Sequence, residues 1–339
     1  FVDPHTHVLF AGSREREFEL RCQGRSYQEI AAAGGGIRSS VRAFRAAGDD
    51  EILAATRRRC DRMLRLGATT VEAKTGYGLD VEQELRALRL IGRLSAEHPV
   101  DLVPTFLGAH EFPDEYRNDR DGYVRLIVEE MIPRVAAERL AVFCDVFCEE
   151  GVFTAAQSRA VLTAARAHGL GLKLHADEFA PIGGAELASE LRAVSADHLL
   201  RVTEQGLLAL RAGGVTAVLL PATSFSLGGE HYAPARKMIQ MEIPVALATD
   251  CNPGSSMCES MPLVLSLACL ELGLTPAEAL TAATVNAAHA VGLSADRGRI
   301  APGMRADLQI LDAPSYVTLA YHLGVSHVRQ VVKDGRPVL

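Results

Sequence analysis

The 339-residue sequence has no apolar stretch of the roughly 18 residues that a transmembrane helix needs, and it does not start with the segments of a secretory signal. It also lacks a basic cluster, since its formal net charge is -7 and its isoelectric point is about 5.9. Without concentrated Lys and Arg, a protein has no electrostatic surface for nucleic acid. We therefore expect a cytoplasmic protein that binds a small molecule, without a nucleic-acid or membrane partner.

The sequence also lacks paired cysteine and phosphate-binding motifs. Its seven cysteines are irregularly spaced, without a C-x-x-C pair, so we expect reduced thiols rather than a disulfide framework. Cys144 and Cys148 stand four residues apart around an apolar segment, which favours packing over zinc binding. No Lys-Ser/Thr follows Gly34-Gly35-Gly36, which we interpret as a loop rather than a phosphate cradle. The chain starts at Phe1 rather than Met, and we expect that the natural protein has a preceding N-terminal portion.

Short apolar runs rich in β-branched residues alternate with segments of helical character. With 48% hydrophobic and 23% charged residues, the chain can bury the core of one large domain and a small appendage. The runs cover residues 2–7, 69–74, 101–107, 143–147, 171–175, 194–198, 216–221 and 245–250. Eight such runs, without an internal repeat or a Gly-rich nucleotide motif, predict an α/β fold, a TIM-type (β/α)8 barrel over residues 1–297.

Several helix starts carry capping signals. Thr154 with Gln157, Asp80 with Gln83, and Thr275 with Glu278 have the spacing of a capping box. Two helical segments are predicted after the eighth strand, at 261–272 and 275–291. From residue 298 to 339, short alternating strands predict part of a small β-sandwich domain, whose other strands we expect in the absent N-terminal portion.

Polar side chains recur at the predicted C-terminal ends of the strands, where barrel active sites lie. They are His5, His7, His175, His198 and Asp250. Because alternate residues of a strand point the same way, His5 and His7 can present two imidazoles to one cavity. Neutral imidazoles suit Zn or Fe. Convergence from separate strands favours a metal site over isolated histidines packed in the core.

These residues also carry a family resemblance. His5-Thr6-His7, the later His, His and Asp, and Gly-x-Ile-x-x-Gly-x-x-Ala-Asp-Leu from Gly298 resemble the amidohydrolase superfamily. Over nearly the whole chain, the sequence is similar to one branch, the ring-opening hydrolases of histidine degradation. The segments that match this branch are Phe10-Ala-Gly-Ser-Arg-Glu, Glu72-Ala-Lys-Thr-Gly-Tyr-Gly-Leu, Asp145-Val-Phe-Cys-Glu-Glu-Gly, Leu174-His-Ala-Asp-Glu, Ser195-Ala-Asp-His-Leu and Ala248-Thr-Asp-Cys-Asn-Pro-Gly-Ser.

The resemblance implies one Zn or Fe ion per chain, bound by His5, His7, His175 and Asp250, with Asp250 also in the catalytic set. Such a metal activates water near neutral pH. Glu178 is implied as the group that moves the proton. His198 is implied to polarise the substrate carbonyl, although binding of a second metal stays open.

Lys74 is a separate case because binuclear relatives bridge two metals with a carboxylated lysine. Its position on the second predicted strand, within a segment typical of mononuclear enzymes, favours a structural or charge-pairing role.

The implied substrate is anionic and heterocyclic, and the implied reaction is hydrolysis of 4-imidazolone-5-propanoate to N-formimino-L-glutamate. The planar fork of Arg14 suits the propionate tail. The implied substrate-binding set is Arg14, Tyr27, Tyr77, His110, Asn252, Gly254 and Ser255. Each also has an interpretation as a loop or packing residue, but all follow strands 1, 2, 3 or 8 and so face one barrel mouth.

Two other functions fit parts of this sequence, and the sequence leaves a homodimer open. An aminohydrolase would release ammonia from a heterocycle, although Arg14 favours an acidic substrate. A scaffold that binds metal without catalysis would need neither Glu178 nor His198, so their presence argues against it.

Overall fold

A computed structural model of the chain describes residues 1–25, 29 and 34–339. Eight parallel strands form one sheet in chain order. They are β1 (Val2–Asp3), β2 (Thr70–Lys74), β3 (Asp101–Ala109), β4 (Phe143–Cys148), β5 (Gly171–Ala176), β6 (Ser195–His198), β7 (Thr216–Leu219) and β8 (Val245–Leu247). A parallel bridge between Thr6 and Cys251 joins the two ends of the sheet, and the His7 N–H donates to the Cys251 carbonyl at 3.0 Å. The predicted (β/α)8 barrel is confirmed.

Helices follow the strands around the sheet. They are α1 (Glu15–Cys22), α2 (Ile37–Ala46), α3 (Asp49–Arg65), α4 (Val81–Glu97), α5 (Arg120–Leu126), α6 (Ile132–Ala137), α7 (Ala155–Ala167), α8 (Gly184–Glu190), α9 (Glu204–Gly213), α10 (Pro221–Ser226), α11 (Ala235–Gln240), α12 (Met261–Leu270), α13 (Pro276–Ala282), α14 (Val285–Ala290) and α15 (Thr318–Tyr321). A 3-10 turn (Asp114–Tyr116) precedes α5, and a π-helical turn (Ile127–Met131) joins α5 to α6. In the described part of the chain, no helix is long and apolar enough to cross a membrane.

The first and last barrel strands are shorter than predicted. Pro4 has no N–H to donate, so the regular ladder of β1 stops at Asp3. Beyond β8, the Thr249 N–H and hydroxyl both donate to the Asp3 carboxylate, at 3.0 and 2.6 Å. Side-chain bonds therefore replace the ladder just below the metal-ligand candidates.

The predicted capping signals are largely confirmed. Thr154 and Thr275 each form a full capping box, whereas Asp80 accepts from the Gln83 N–H without the reciprocal bond. The helix predicted over 275–291 is wrong in one respect, because it divides into α13 and α14 at Thr284, whose backbone (φ -130°, ψ -81°) is not helical.

Strand β2 is apolar on one face and charged on the other. On the buried strand β2, Val71 and Ala73 belong to the main hydrophobic core, whereas Glu72 and Lys74 form ion pairs with charges from other strands. This is the two-residue alternation of a strand. Cys144 and Cys148 are buried free thiols, in keeping with a packing role.

A three-stranded antiparallel sheet lies beyond residue 298, formed by β9 (Leu308–Leu311), β10 (Val328–Lys333) and β11 (Arg336–Pro337). It packs against the N-terminal end of the barrel. Lys333 Nζ lies 2.9 Å from Asp101 at the start of β3, Gln309 donates to the Gly67 carbonyl, and Val331 is fully buried. The sheet is thus at the end opposite the predicted active site.

Candidate metal-dependent active site

Three imidazoles and one carboxylate converge at the C-terminal end of the barrel. The Nε2 atoms of His7 and His175 are 3.3 Å apart, and Asp250 Oδ1 lies 3.5 Å from His5 Nε2 and 3.6 Å from His7 Nε2. All four residues are at most 3% exposed. Donor atoms of His5, His7 and His175 lie within 4.8 Å of one another.

The cluster fits a single tetrahedral cation. Ligand atoms about 2.0–2.1 Å from a tetrahedral Zn²⁺ lie roughly 3.3–3.4 Å apart, close to the spacings of this cluster. Burial lowers the pKa of His5 and of His7 well below its ordinary value, which keeps both imidazoles neutral, the form that binds metal. His5 Nε2 has no hydrogen-bond partner although it is buried. A bound cation would accept the lone pair of this nitrogen. It would also offset the repulsion between the lone pairs of the converging ligand atoms.

A second set of side chains orients the ligands. Asp197 Oδ2 lies 2.6 Å from His5 Nδ1, and Asp145 Oδ2 lies 3.0 Å from His175 Nδ1. The hydrogen bond to Asp197 puts the proton of His5 on Nδ1, and the nearby Asp145 carboxylate favours the same tautomer of His175, so that Nε2 of both is free to bind a metal. Asp250 Oδ2 accepts from the Thr223 hydroxyl at 2.7 Å, leaving Oδ1 directed at the histidines.

Glu178 and His198 stand beside this cluster. His198 Nδ1 is 3.5 Å from Glu178 Oε1, and both side chains line the cavity. Burial, together with the charges of Asp250 and Glu149, raises the pKa of Glu178 well above its ordinary value. Burial also lowers the pKa of His198 well below 6.5. Glu178 can therefore hold and release a proton, and neutral His198 can donate a hydrogen bond, at the wall of the cavity.

Glu149, at the end of β4, holds the loop that carries Glu178. Its Oε2 accepts from the backbone N–H groups of Glu178 (3.0 Å) and Phe179 (2.9 Å), and its Oε1 accepts from the Ala180 N–H (3.0 Å). Three hydrogen bonds to one buried side chain fix the loop. The backbone of His198 (φ 75°) and of Asp250 (φ 52°) is left-handed, which is uncommon for residues other than glycine.

The opposite wall of the cavity carries Arg14. Its Nε and Nη2 donate to Glu17 Oε2 at 2.9 and 2.7 Å, which fixes the plane of the guanidinium. Its Nη1 lies beside Gly254, where a Cβ atom would come within 2.0 Å. A glycine at position 254 is therefore necessary for this placement of Arg14, which lines the cavity.

Aromatic rings form the floor between the two walls. His110 stacks on His7, with 4.9 Å between ring centroids and 15° between planes, and Tyr77 lies 5.5 Å from His110. His110 Nδ1 donates to the Gly76 carbonyl at 3.0 Å, and burial lowers the pKa of His110 to about 3. These neutral rings can enclose a planar heterocycle.

The loop after β8 is organised by Asn252. Its side-chain oxygen accepts from the N–H groups of Gly254 and Ser255, both at 2.8 Å, and its amide donates to the Asp250 carbonyl at 2.8 Å. Asn252 thus shapes the loop that places Gly254 and Ser255 at the cavity, and a substrate contact by these residues stays a prediction.

Lys74 is not placed as a bridging ligand would be. Its Nζ is 2.6 Å from Asp145 Oδ2, 3.1 Å from Glu72 Oε2 and 3.5 Å from Asp197 Oδ2. Burial alone would lower the pKa of Lys74, but these three carboxylates outweigh it and raise the pKa above its ordinary value. Carboxylation requires a neutral amine, so this environment opposes a bridging carbamate.

The cavity has a volume of about 560 Å³ and brings most of the predicted site residues together. His5 lies behind its wall, fully buried, and Tyr27 falls outside the described residues. The predicted residues that line it are His7, Arg14, Tyr77, His110, His175, Glu178, His198, Asp250, Asn252, Gly254 and Ser255.

Comparison with known proteins places this site in a family. The model of the "Amidohydrolase family" matches residues 1–338. Imidazolonepropionase from Syntrophobacter fumaroxidans is 56% identical, with all of this chain matching 80% of that protein. The enzyme of the same name from Geobacillus kaustophilus is 52% identical over the same shares.

Solved structures of other enzymes share the fold. The 5-methylcytosine deaminase of Klebsiella pneumoniae has a TM-score of 0.78 at 18% identity, and the match covers all of this chain and 85% of that one. Escherichia coli guanine deaminase has a TM-score of 0.73 at 14% identity, covering all of this chain and 82% of the other. The chain belongs to the amidohydrolase family, and within that family to the imidazolonepropionases.

Proposed function

We propose that the chain is a metal-dependent hydrolase that opens the ring of 4-imidazolone-5-propanoate to give N-formimino-L-glutamate. The observation that carries this proposal is one cavity with a buried His5/His7/His175/Asp250 cluster on one wall and Arg14 on the other. The names of the relatives at 52–56% identity support the same reaction.

The metal would be held by His5, His7, His175 and Asp250, and when bound it supplies a water molecule of lowered pKa as the nucleophile. Zn and Fe both suit this donor set, a homodimer stays open, and the cytoplasmic location stays a prediction. The chain's own side chains carry the remaining steps.

Glu178 takes a proton from the water as its oxygen adds to the ring carbonyl carbon, and His198 donates a hydrogen bond to the carbonyl oxygen. Glu178 then returns the proton to the ring nitrogen as the C–N bond breaks. The carbonyl becomes a carboxylic acid, which releases the second proton of the water to solvent as a carboxylate, and the nitrogens remain in the product as the formimino group. Because burial raises the pKa of Glu178, the proton can be held between the two steps.

Arg14 and the aromatic rings place the substrate for these steps. The Nη1 atom of Arg14, fixed by Glu17, would pair with the propionate carboxylate. His110 and Tyr77 would enclose the ring, so that the carbonyl lies towards His198.

Product analysis tests the proposal. Purified protein should contain about one metal ion per chain and convert imidazolone propionate stoichiometrically to the formimino product, without early release of ammonia. Release of ammonia from a heterocyclic amine would favour the aminohydrolase alternative. Metal without turnover of either substrate would favour the scaffold.

A further inference from the structure

Five charged side chains fill the barrel interior below the metal-ligand cluster. We call them the inner ion network: Glu72, Lys74, Asp145, Lys173 and Asp197, each at most 1% exposed. When all are ionised, two positive and three negative charges leave one negative charge. Buried ion pairs rarely stabilise a fold better than apolar side chains of similar volume, because desolvation offsets their attraction. Stability alone therefore gives no reason for this network.

The two lysines of the network differ in what they contact. Lys74 Nζ lies within 3.5 Å of Asp145 Oδ2 and Asp197 Oδ2, the same oxygens that face His175 Nδ1 and His5 Nδ1. Lys173 Nζ instead contacts Glu72 Oε2 at 2.6 Å and the Pro4 carbonyl at 2.8 Å. Lys74 is thus one ammonium group that joins the partners of two metal-ligand candidates from different strands.

We infer that Lys74 is a positioning residue for the metal site, acting through Asp145 and Asp197 to fix the orientation and tautomer of His175 and His5. The inference rests on the metal site of the proposed function and adds a role for a residue that touches neither the metal ligands nor the cavity.

The physical reason lies in the two carboxylates. Each faces an imidazole and has a local donor on its other oxygen, since Asp197 Oδ1 accepts from the Ser195 hydroxyl at 2.6 Å and Asp145 Oδ1 accepts from the His175 N–H at 3.2 Å. The ammonium group of Lys74 adds a charged contact to the Oδ2 atom of both, the oxygen that faces the imidazole. Without the ammonium group, two buried negative groups would lose their shared counter-charge and would separate or bind other donors. The imidazoles would then lose their fixed rotamers, and metal affinity falls when such outer partners are lost.

A pure charge effect of losing Lys74 would change the metal affinity in the opposite direction. Removal of a positive charge a few ångströms from a cation site strengthens the attraction for that cation. The sign of the change in metal affinity therefore distinguishes positioning from simple electrostatics. Lys173 supplies a matched control, because it carries the same charge in the same buried network without contacting either carboxylate partner.

The experiment compares Lys74→Met and Lys173→Met with wild type. Zn²⁺ affinity is measured by competition with a chelator, and the Co²⁺-loaded proteins are compared by visible absorption, which reports ligand geometry. For Lys74→Met we expect Zn²⁺ affinity about 10- to 100-fold weaker and an altered Co²⁺ spectrum. For Lys173→Met we expect affinity and spectrum close to wild type, with a lower melting temperature.

Several outcomes would overturn the inference. Tighter Zn²⁺ binding in both variants would show that charge alone matters, and equal weakening in both would show a general packing effect. Wild-type affinity and spectrum in Lys74→Met would exclude the positioning role while leaving the proposed function intact. If wild type itself bound no metal, the proposed function would fail first.

A double variant covers the case in which Lys74→Met does not fold. Lys74→Met with Glu72→Gln removes one positive and one negative charge, so the network keeps its net charge. Weak Zn²⁺ binding in this variant would support positioning, since the net charge is restored but the hydrogen bond to Asp145 and the ion pair with Asp197 are not. Wild-type affinity would overturn it.

Discussion

The two walls of the cavity are built in different ways. The metal-facing wall comes from residues at or just beyond strand ends, and its four ligand candidates are buried, with His5, His175 and Asp250 each facing a further side chain. The substrate-facing wall comes from loops and from the start of α1, where the side chain of Arg14, just before the helix, is 9% exposed and held by Glu17. Under the proposed function, the comparison teaches that the barrel strands fix the chemistry, whereas substrate choice lies on loop residues that can vary without changing the metal ligands.

The largest effect is expected on the metal-facing wall. Asp250→Ala or His7→Ala should abolish both bound metal and turnover, because each removes one ligand. Metal content by elemental analysis and turnover of imidazolone propionate are the measurements. His98→Ala is the control, since His98 is a buried histidine that pairs with Asp61 outside the site and should keep its metal. Stoichiometric metal in Asp250→Ala would count against the ligand set.

Glu178→Gln, on the same wall, should impair proton transfer without affecting metal binding. Turnover should fall on the order of 10²-fold or more, the scale of a positioned acid-base group, while metal content stays unchanged. Glu150→Gln, which alters an exposed neighbour of Glu149, should leave both at wild-type values. An unchanged turnover number in Glu178→Gln would remove Glu178 from the mechanism.

Substitution of Arg14 should affect selectivity and leave the metal untouched. Arg14→Ala should cost roughly 2 to 5 kcal/mol in kcat/KM, and Arg14→Lys should also lose activity because an ammonium group lacks the planar fork. The critical measurement is the ratio of kcat/KM for the acid and for its neutral amide analogue. Wild type should strongly prefer the acid and Arg14→Ala should prefer it far less.

Arg16→Ala changes an exposed residue of the same helix and is the control for Arg14. The same acid-to-amide ratio in wild type and in Arg14→Ala would mean that Arg14 does not bind the tail. The metal-hydrolase function would survive that result, but its assignment to an anionic substrate would lose its main physical support.

The smallest effect on activity is expected at the far end of the barrel. Arg297 donates to Asp101 at 2.7 Å and to Thr70 at 2.9 Å, and its side chain is 6% exposed. Arg297→Met should lower the free energy of unfolding by about 1 to 3 kcal/mol, since Asp101 keeps Lys333 and Arg305 as partners. Denaturant unfolding gives the stability, and kcat/KM should not change. A loss of activity would show coupling between the two ends.

The barrel could be predicted from the sequence because apolar strand segments alternate regularly with helical segments. The ligand candidates could be predicted because their histidines stand at the C-terminal ends of those strands, where barrel active sites lie. Glu149, Asp145 and Asp197 were missed as positioning residues, although all three lie in segments that resemble the family. Their partners are 29 to 192 residues away along the chain, and only the closed barrel brings them together. An acidic residue before or within a strand gives no signal of which imidazole it will face.

Position 254 shows a second limit. A glycine in a loop is uninformative by itself, and the closeness of Arg14 Nη1 becomes evident only when loops after the first and last strands meet. Lys74 shows a third, because the sequence places it on a buried strand but cannot say that three carboxylates surround it.

The left-handed backbone at His198 and Asp250 has a consequence for engineering. A non-glycine residue held in that region costs about 1 kcal/mol or more, so the fold gives up stability at two positions to aim these side chains. Glycine would relax both positions and remove the functional side chain at the same time. Directed evolution for heat resistance, run without an activity screen, would therefore tend to select changes here and produce stable but inactive barrels. Thermostabilised variants of this chain should be sought with both positions held fixed.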